Sequence, residues 1–416
     1  MAVFGIYNLA TGILLLLFCP FVFKLIKDHW QDNQYASQSS LLVLFCCLIV
    51  GIYFILQSLP VLLQSLKVLF QNELMVTWYK ALTLPLPIPL GSFVFYFGGV
   101  IFLFVAIYYF KESRSKKYVG TAEPKGIKKI HSLDIELSRK TFHICVIGVI
   151  VCYLIIGDLI GSAIYDSTAE VFDYYFLGFQ SFYSSIFTIP INLTPPFGFP
   201  PNPGDLIYTH TYGPTVWYPG IELVLGKGMC VFAFVIIGNL LMVTDFIRIY
   251  NYRFYPIKEI TYVYREKERS VLGPHIYLVY GILFSTVLFS GPIAISTIAM
   301  SGFGDACATI VGVSIGTHKL QGGKSSKTWE GCIAGFTSSF GLGLLCYVLV
   351  GMIWYSTLLS FTSILLMGII INFIGALVFL FFDYYSPPIK ISDNILNPVV
   401  LPIAMGLSSL LIFGIW

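Results

Sequence analysis

The chain has 416 residues, of which 57% are hydrophobic and only 11% charged, with a formal net charge of +3. Soluble domains carry about 25% charged residues, so this balance excludes a soluble globular protein, and so small a net charge gives no reason to expect nucleic acid as a partner. A polytopic membrane protein remains, since each crossing consumes about 20 apolar residues and the chain has room for roughly ten.

Apolar runs fall at 6–26, 41–64, 92–110, 142–161, 227–247, 273–290, 292–312, 331–350, 357–382 and 398–415. A helix satisfies its own backbone polar groups within lipid. The expected fold is therefore all-α, a transmembrane helical bundle of about ten spans. No charged segment precedes the first run, which reads as a first span rather than a cleaved signal. The nine cysteines show no CxxC or Cys/His spacing, lie mostly within the runs, and read as small buried hydrophobes.

Lys and Arg cluster in particular loops. Loop 111–140 carries Lys111, Arg114, Lys116, Lys117, Lys125, Lys128, Lys129, Arg139 and Lys140, and loop 248–272 carries Arg248, Arg253, Lys258, Arg265, Lys267 and Arg269. Loop 313–330 adds lysines and 383–397 adds Lys390, whereas 162–226 has neither Lys nor Arg and is rich in aromatics and proline. Positive loops favour the cytoplasmic side, so these basic loops are expected to face the cytoplasm and 162–226 to face away. Alternation then puts both termini outside; Lys67 and Lys80 fit this less well.

Four polar groups interrupt the apolar pattern. Arg139, Lys140 and His143 sit at the mouth of a span, where two cations and an imidazole can hold phosphate oxygens; basic residues there also serve simply to fix topology. Asp245 and Arg248 share a helix face and read as a structural ion pair or a polar site. In the third group, Gly304-Asp305 lies inside an apolar run, where an acid suggests function.

A glycine-broken basic loop follows with Lys319, Lys324 and Lys327, then Glu330, and it can act as a cationic lid on phosphates. Asp305 is a candidate ligand for a divalent cation such as Mg2+. Gly312, Gly316, Gly331 and Gly335 suit either close helix packing or close approach of a ligand. The fourth group is Asp383 with Asp393-Asn394, either a helix cap or further metal and nucleotide contacts. An acid and lysines at a membrane edge point to chemistry on a phosphate ester.

In this order, Arg139-Lys140 with His143, the Arg265–Glu268 run, Gly304-Asp305-Ala306 with Gly312, Lys327–Gly331 and Asp393-Asn394 resemble the CTP-dependent integral-membrane lipid kinases: dolichol kinase, phytol kinase and the fungal-type diacylglycerol kinase. The resemblance covers roughly residues 134–410. It implies transfer of the terminal phosphate of CTP to the hydroxyl of a lipid alcohol, with a divalent cation, within a bilayer. The family's basic pair falls on Arg139 and Lys140, and its acid and downstream glycine on Asp305 and Gly312. The chain has Asp383 where such kinases often carry Glu, and Ser392-Asp393 where they carry two acids.

On this reading, 1–110 is an accessory N-terminal module, 111–140 a basic cytoplasmic loop, and 141–416 the catalytic domain. The expected catalytic residues are Asp305, Arg139, Lys140 and His143. Phosphate or nucleotide contacts are expected from Gly304, Gly312, Lys319, Lys324, Lys327, Glu330 and Asn394, and metal contacts from Asp305, Asp383 and Asp393. The site is expected to face the cytoplasm, in a plasma membrane or an endoplasmic reticulum. Lys327–Gly331 is also shared with phosphatidate cytidylyltransferases, which makes a CDP-lipid synthase the alternative. A transporter is a further one, because buried acids on broken helices also line transport paths.

Overall fold

The computed structural model describes residues 2–31, 33–69, 221–250, 252–255, 271–320, 327–355 and 359–414. The expected spans at 92–110 and 142–161, the basic loop 111–140, the run 265–269, and Arg139, Lys140, His143 and Lys324 lie outside the described residues. Among the described residues the regular structure is helical, with no strand; a lone antiparallel bridge joins Lys319 and Thr328.

The helices are α1 (Ala2–His29), α2 (Gln34–Leu69), α3 (Ile221–Tyr250), α4 (Pro274–Leu288), α5 (Gly291–Ala299), α6 (Asp305–Ser314), α7 (Trp329–Trp354), α8 (Phe361–Ile389) and α9 (Asp393–Phe413). Local signals set their ends. Prolines in the first turn open α4 and α5, a position where proline's missing N–H costs nothing. Thr328 and Ser360 cap α7 and α8 by accepting from Gly331 N and Ser363 N. Gly414, at φ 68°, ends α9 in the left-handed conformation.

Six segments among the described residues are long and apolar enough to cross a membrane: Leu9–His29, Gln34–Leu56, Gly291–Ser314, Trp329–Met352, Phe361–Tyr385 and Asp393–Phe413. Their outer faces are apolar. In α8, Leu366, Ile369, Ile370, Phe373, Leu377 and Phe381 are exposed while Met367, Ile371, Ala376 and Phe379 are buried. Such a surface suits hydrocarbon, and the chain is a multi-pass membrane protein. The run expected to span at 273–290 forms α4, which has 15 residues. That is about 22 Å of helix, short of the bilayer's roughly 30 Å. Most of α4 is buried, so it serves as an interior helix packed against α2, α3 and α9.

Hydrogen bonds gather several helix ends on one face. Lys390 Nζ donates to Gln34 Oε1 at 2.7 Å, and Ser392 N donates to Ser39 Oγ at 2.8 Å. Tyr277 OH reaches the Ala36 carbonyl at 3.5 Å. The α3 end joins the same face through Asp245 and Arg248, both buried. They pair with each other, Arg248 donates to the Val271 carbonyl, and Asp245 Oδ2 accepts from Gly273 N at 2.7 Å. This pair clasps the end of α3 to the start of α4.

Glycine allows the closest crossing, between α6 and α7. A Cβ on Gly331 would lie 2.7 Å from the Ala308 carbonyl oxygen and 3.1 Å from Gly312 Cα, both backbone atoms. Gly341, in the same helix, has nothing within 4 Å of that position. Gly331→Ala is expected to destabilise by about 1–3 kcal/mol through overpacking, whereas Gly341→Ala should be neutral or add up to about 1 kcal/mol through helix propensity. Thermal melting in detergent distinguishes the two.

Candidate functional site

The candidate site begins at an irregularity. Between α5 and α6 the helix widens into a π turn at Met300–Gly304, and Asp305 follows as the first residue of α6. π turns inside helices recur at functional positions. Gly304 packs tightly here: a Cβ would strike the Ser339 hydroxyl and lie 3.2 Å from the Phe379 ring. Asp305 is 5% exposed, so its carboxylate requires compensation from nearby polar or positive groups.

The positive charge is Lys327. Its ammonium donates to Asp383 Oδ1 at 2.5 Å and lies 3.9 Å from Asp393 Oδ2. Asp305 adds to the field that Lys327 feels. Two acids, on α8 and α9, thus contact one cation just before α7, and a third, on α6, acts on it from farther away. Burial by itself would lower the Lys327 pKa, but Asp383, Asp393 and Asp305 raise it well above the ordinary lysine range. Asp383 has both carboxylate oxygens engaged, Oδ1 by Lys327 and Oδ2 by the Cys332 thiol, which donates at 3.0 Å. Its evident role is to fix Lys327.

The lysine loop is closed at its base. Leu320 N donates to the Lys327 carbonyl and Trp329 N to the His318 carbonyl, each at 2.9 Å. Glu330 secures the other strand: Oε1 accepts from Thr317 Oγ1 at 2.8 Å and pairs with His318 Nδ1 at 2.6 Å, and the His318 amide also donates to it at 3.2 Å. Glu330 is therefore placed as a loop clamp. Lys319 sits exposed at the bridge to Thr328. Gly312 faces the α6–α7 crossing, where an added Cβ would lie 3.1 Å from Thr328 Oγ1 and 3.5 Å from Gly331 Cα. Asn394 donates its backbone N–H to Asp393 Oδ1 at 3.1 Å.

Among the expected site residues, the structure thus brings Asp383 and Asp393 to Lys327, with Asp305 contributing to its field. It gives Gly304 and Gly312 packing positions and Glu330 a loop position. Cys332 had no sequence signal: a cysteine in an apolar run reads as filler until Asp383 stands beside it.

Among the described residues, no three His, Cys, Asp or Glu side chains are gathered as a metal-binding group. The chemistry of the donors still suits a divalent cation. Three carboxylates near one ammonium leave a net negative charge.

No family model matches the chain, and no curated protein or solved structure matches it.

Two expectations follow. Arg248→Met leaves Asp245 buried without its cation and should cost about 3–5 kcal/mol, read by melting in detergent. Lys327 has a folded pKa above its unfolded value, so its pairing stabilises fully below about pH 10.4. That contribution is lost as pH rises through the higher folded value. The stability gap between wild type and Lys327→Met should be constant from pH 7 to 9.5 and close above that range.

Proposed function

We propose that this chain is a membrane-bound, CTP-dependent lipid kinase that transfers the terminal phosphate of CTP to the hydroxyl of a polyprenol- or dolichol-type lipid alcohol. The observation that carries the proposal is the pairing of Lys327 with Asp383 and Asp393 at one end of an apolar bundle, with the buried Asp305 adding to its field. Phosphoryl transfer between a soluble nucleotide and a lipid requires charged groups at the depth where a lipid hydroxyl resides. The resemblance of Gly304–Gly331 to the CTP-dependent lipid kinases points the same way. On this reading the face that carries the cluster is cytoplasmic, since its connecting loops hold Arg253, Lys319 and Lys390.

The reaction needs positioning and electrostatics more than covalent chemistry. Lys327, held by Asp383, presents a fixed positive charge to phosphate oxygens. Lys319 and Lys324 bring further charge on the loop closed by Glu330, and Arg139 and Lys140 supply more from the basic loop. Asp305 and Asp393 would hold a divalent cation, which would supply neutralisation of phosphate charge. The attacking oxygen is the lipid hydroxyl, and its proton passes to His143 or to a carboxylate of the cluster. The P–O bond between the β and γ phosphates breaks, leaving CDP.

Purified protein in detergent, given CTP labelled on its terminal phosphate and a panel of polyprenol, dolichol, phytol and diacylglycerol, tests the proposal. Label should enter lipid, and Asp305→Asn should reduce the rate at least ~100-fold while preserving helical content. Near-normal transfer by Asp305→Asn would overturn the site. Label appearing only from the first phosphate, on phosphatidic acid, would indicate a cytidylyltransferase. Solute uptake without any lipid product would indicate a transporter.

A further inference from the structure

The start of α2 is unusual for an apolar span. Ala36, Ser37, Ser39 and Ser40 are all buried, with Ser39 fully so. Burying hydroxyls within a membrane protein costs free energy unless they find partners. Ser39 has two: its Oγ donates to the Tyr35 carbonyl at 2.7 Å and accepts from the backbone N–H of Ser392 at 2.8 Å. Ser392 precedes α9, and its own side chain makes no capping hydrogen bond. The start of α9 is therefore held from α2, some 350 residues earlier in the chain. The next residue is Asp393, 3.9 Å from Lys327 Nζ, at the outer limit of an ion pair. Lys390 to Gln34 forms a second tie between the same two segments.

We propose that Ser39 is a positioning residue for the site, holding Asp393 within reach of Lys327 through the backbone of Ser392. The N-terminal hairpin is then a working part of the site rather than an accessory module. The inference builds on the reading of the cluster as a phosphate site, but its anchor is a hydrogen bond that stands apart from that reading. The distance argues for sensitivity: at 3.9 Å, a small displacement of the α9 start removes the Asp393 contact and leaves the Lys327–Asp383 bond in place.

Ser39→Ala removes the acceptor. Ser392→Pro removes the donor at a residue whose φ of −67° already suits proline, and it tests the same bond should Ser39→Ala fold poorly. The readout is the rate of reductive methylation of Lys327 at fixed pH in the full chain in detergent, located by mass spectrometry. Asp393→Asn, Ser39→Ala and Ser392→Pro should each accelerate labelling several-fold. Ser39→Thr, which keeps the hydroxyl, should stay at the wild-type rate. The Ser39→Ala/Asp393→Asn double variant should label no faster than Asp393→Asn alone, since effects that share one path do not add.

A wild-type labelling rate in Ser39→Ala, multiplying effects in the double variant, or no effect of Asp393→Asn would each overturn the proposal. In the transfer assay, Ser39→Ala should raise the Mg2+ concentration needed for half-maximal rate more than it lowers kcat. If wild type transfers no phosphate, the kinase reading fails while the labelling result still decides the role of Ser39.

Discussion

An ammonium ion enclosed by carboxylates is stable only where each charge has its counterpart, and among apolar helices that condition shapes everything nearby. Lys327 meets it by bonding Asp383, with Asp393 and Asp305 close by. Removing one partner of such a group exposes the others to a medium that solvates them poorly. The geometry around the cluster follows from this demand. α6 and α7, which follow Gly304 and Lys327 in the chain, approach through Gly312 and Gly331. The loop between them is closed by two backbone bonds and by Glu330, which keeps the start of α7 in one place.

The same demand extends beyond the helices that carry the acids. α9 brings Asp393 to the cluster, yet its first turn is held by α2 and by the tie between Lys390 and Gln34. The clasp of Asp245 and Arg248 fixes α3 to the start of α4, and α4 packs against α2 and α9. Polar contacts at one end of the bundle thus form a connected frame, and a few buried hydrogen bonds, such as Ser296 to Asn372 and Tyr280 to Asn239, join helices elsewhere.

Much of this could be read from the residues. Composition and long apolar runs identify a helical membrane protein, because little else satisfies such a backbone in lipid. The cost of an isolated buried acid singles out Asp305, and charge clustering draws attention to Lys327, Asp383 and Asp393. What sequence could not supply was pairing. Gly312 and Gly331 carry the same letter whether they line a ligand or a neighbouring helix, and only the closeness of Ala308 and Thr328 decides between the two. Ser39 and Cys332 look unremarkable because their partners, Ser392 and Asp383, lie hundreds or tens of residues away. The break between run 273–290 and run 292–312 was legible and falls at Phe289-Ser290; the burial of α4 among α2, α3 and α9 was not, because hydropathy does not tell a lipid neighbour from an apolar protein one.

The π turn at Met300–Gly304 makes one stretch of the chain answer to counting rather than chemistry. Such a turn holds one residue more than an ordinary one, so everything beyond Gly304 is rotated back by about 100° relative to a regular helix. Thr297, whose hydroxyl meets Met405 Sδ at 3.8 Å, and the buried Asp305 would stand about 80° apart on a regular helix, and the offset brings them to about 20°. Side chains within the turn can be exchanged for others of similar bulk without disturbing the arrangement. Deleting a single residue, even the smallest, would restore an ordinary helix and turn the acid by about 100° relative to Thr297.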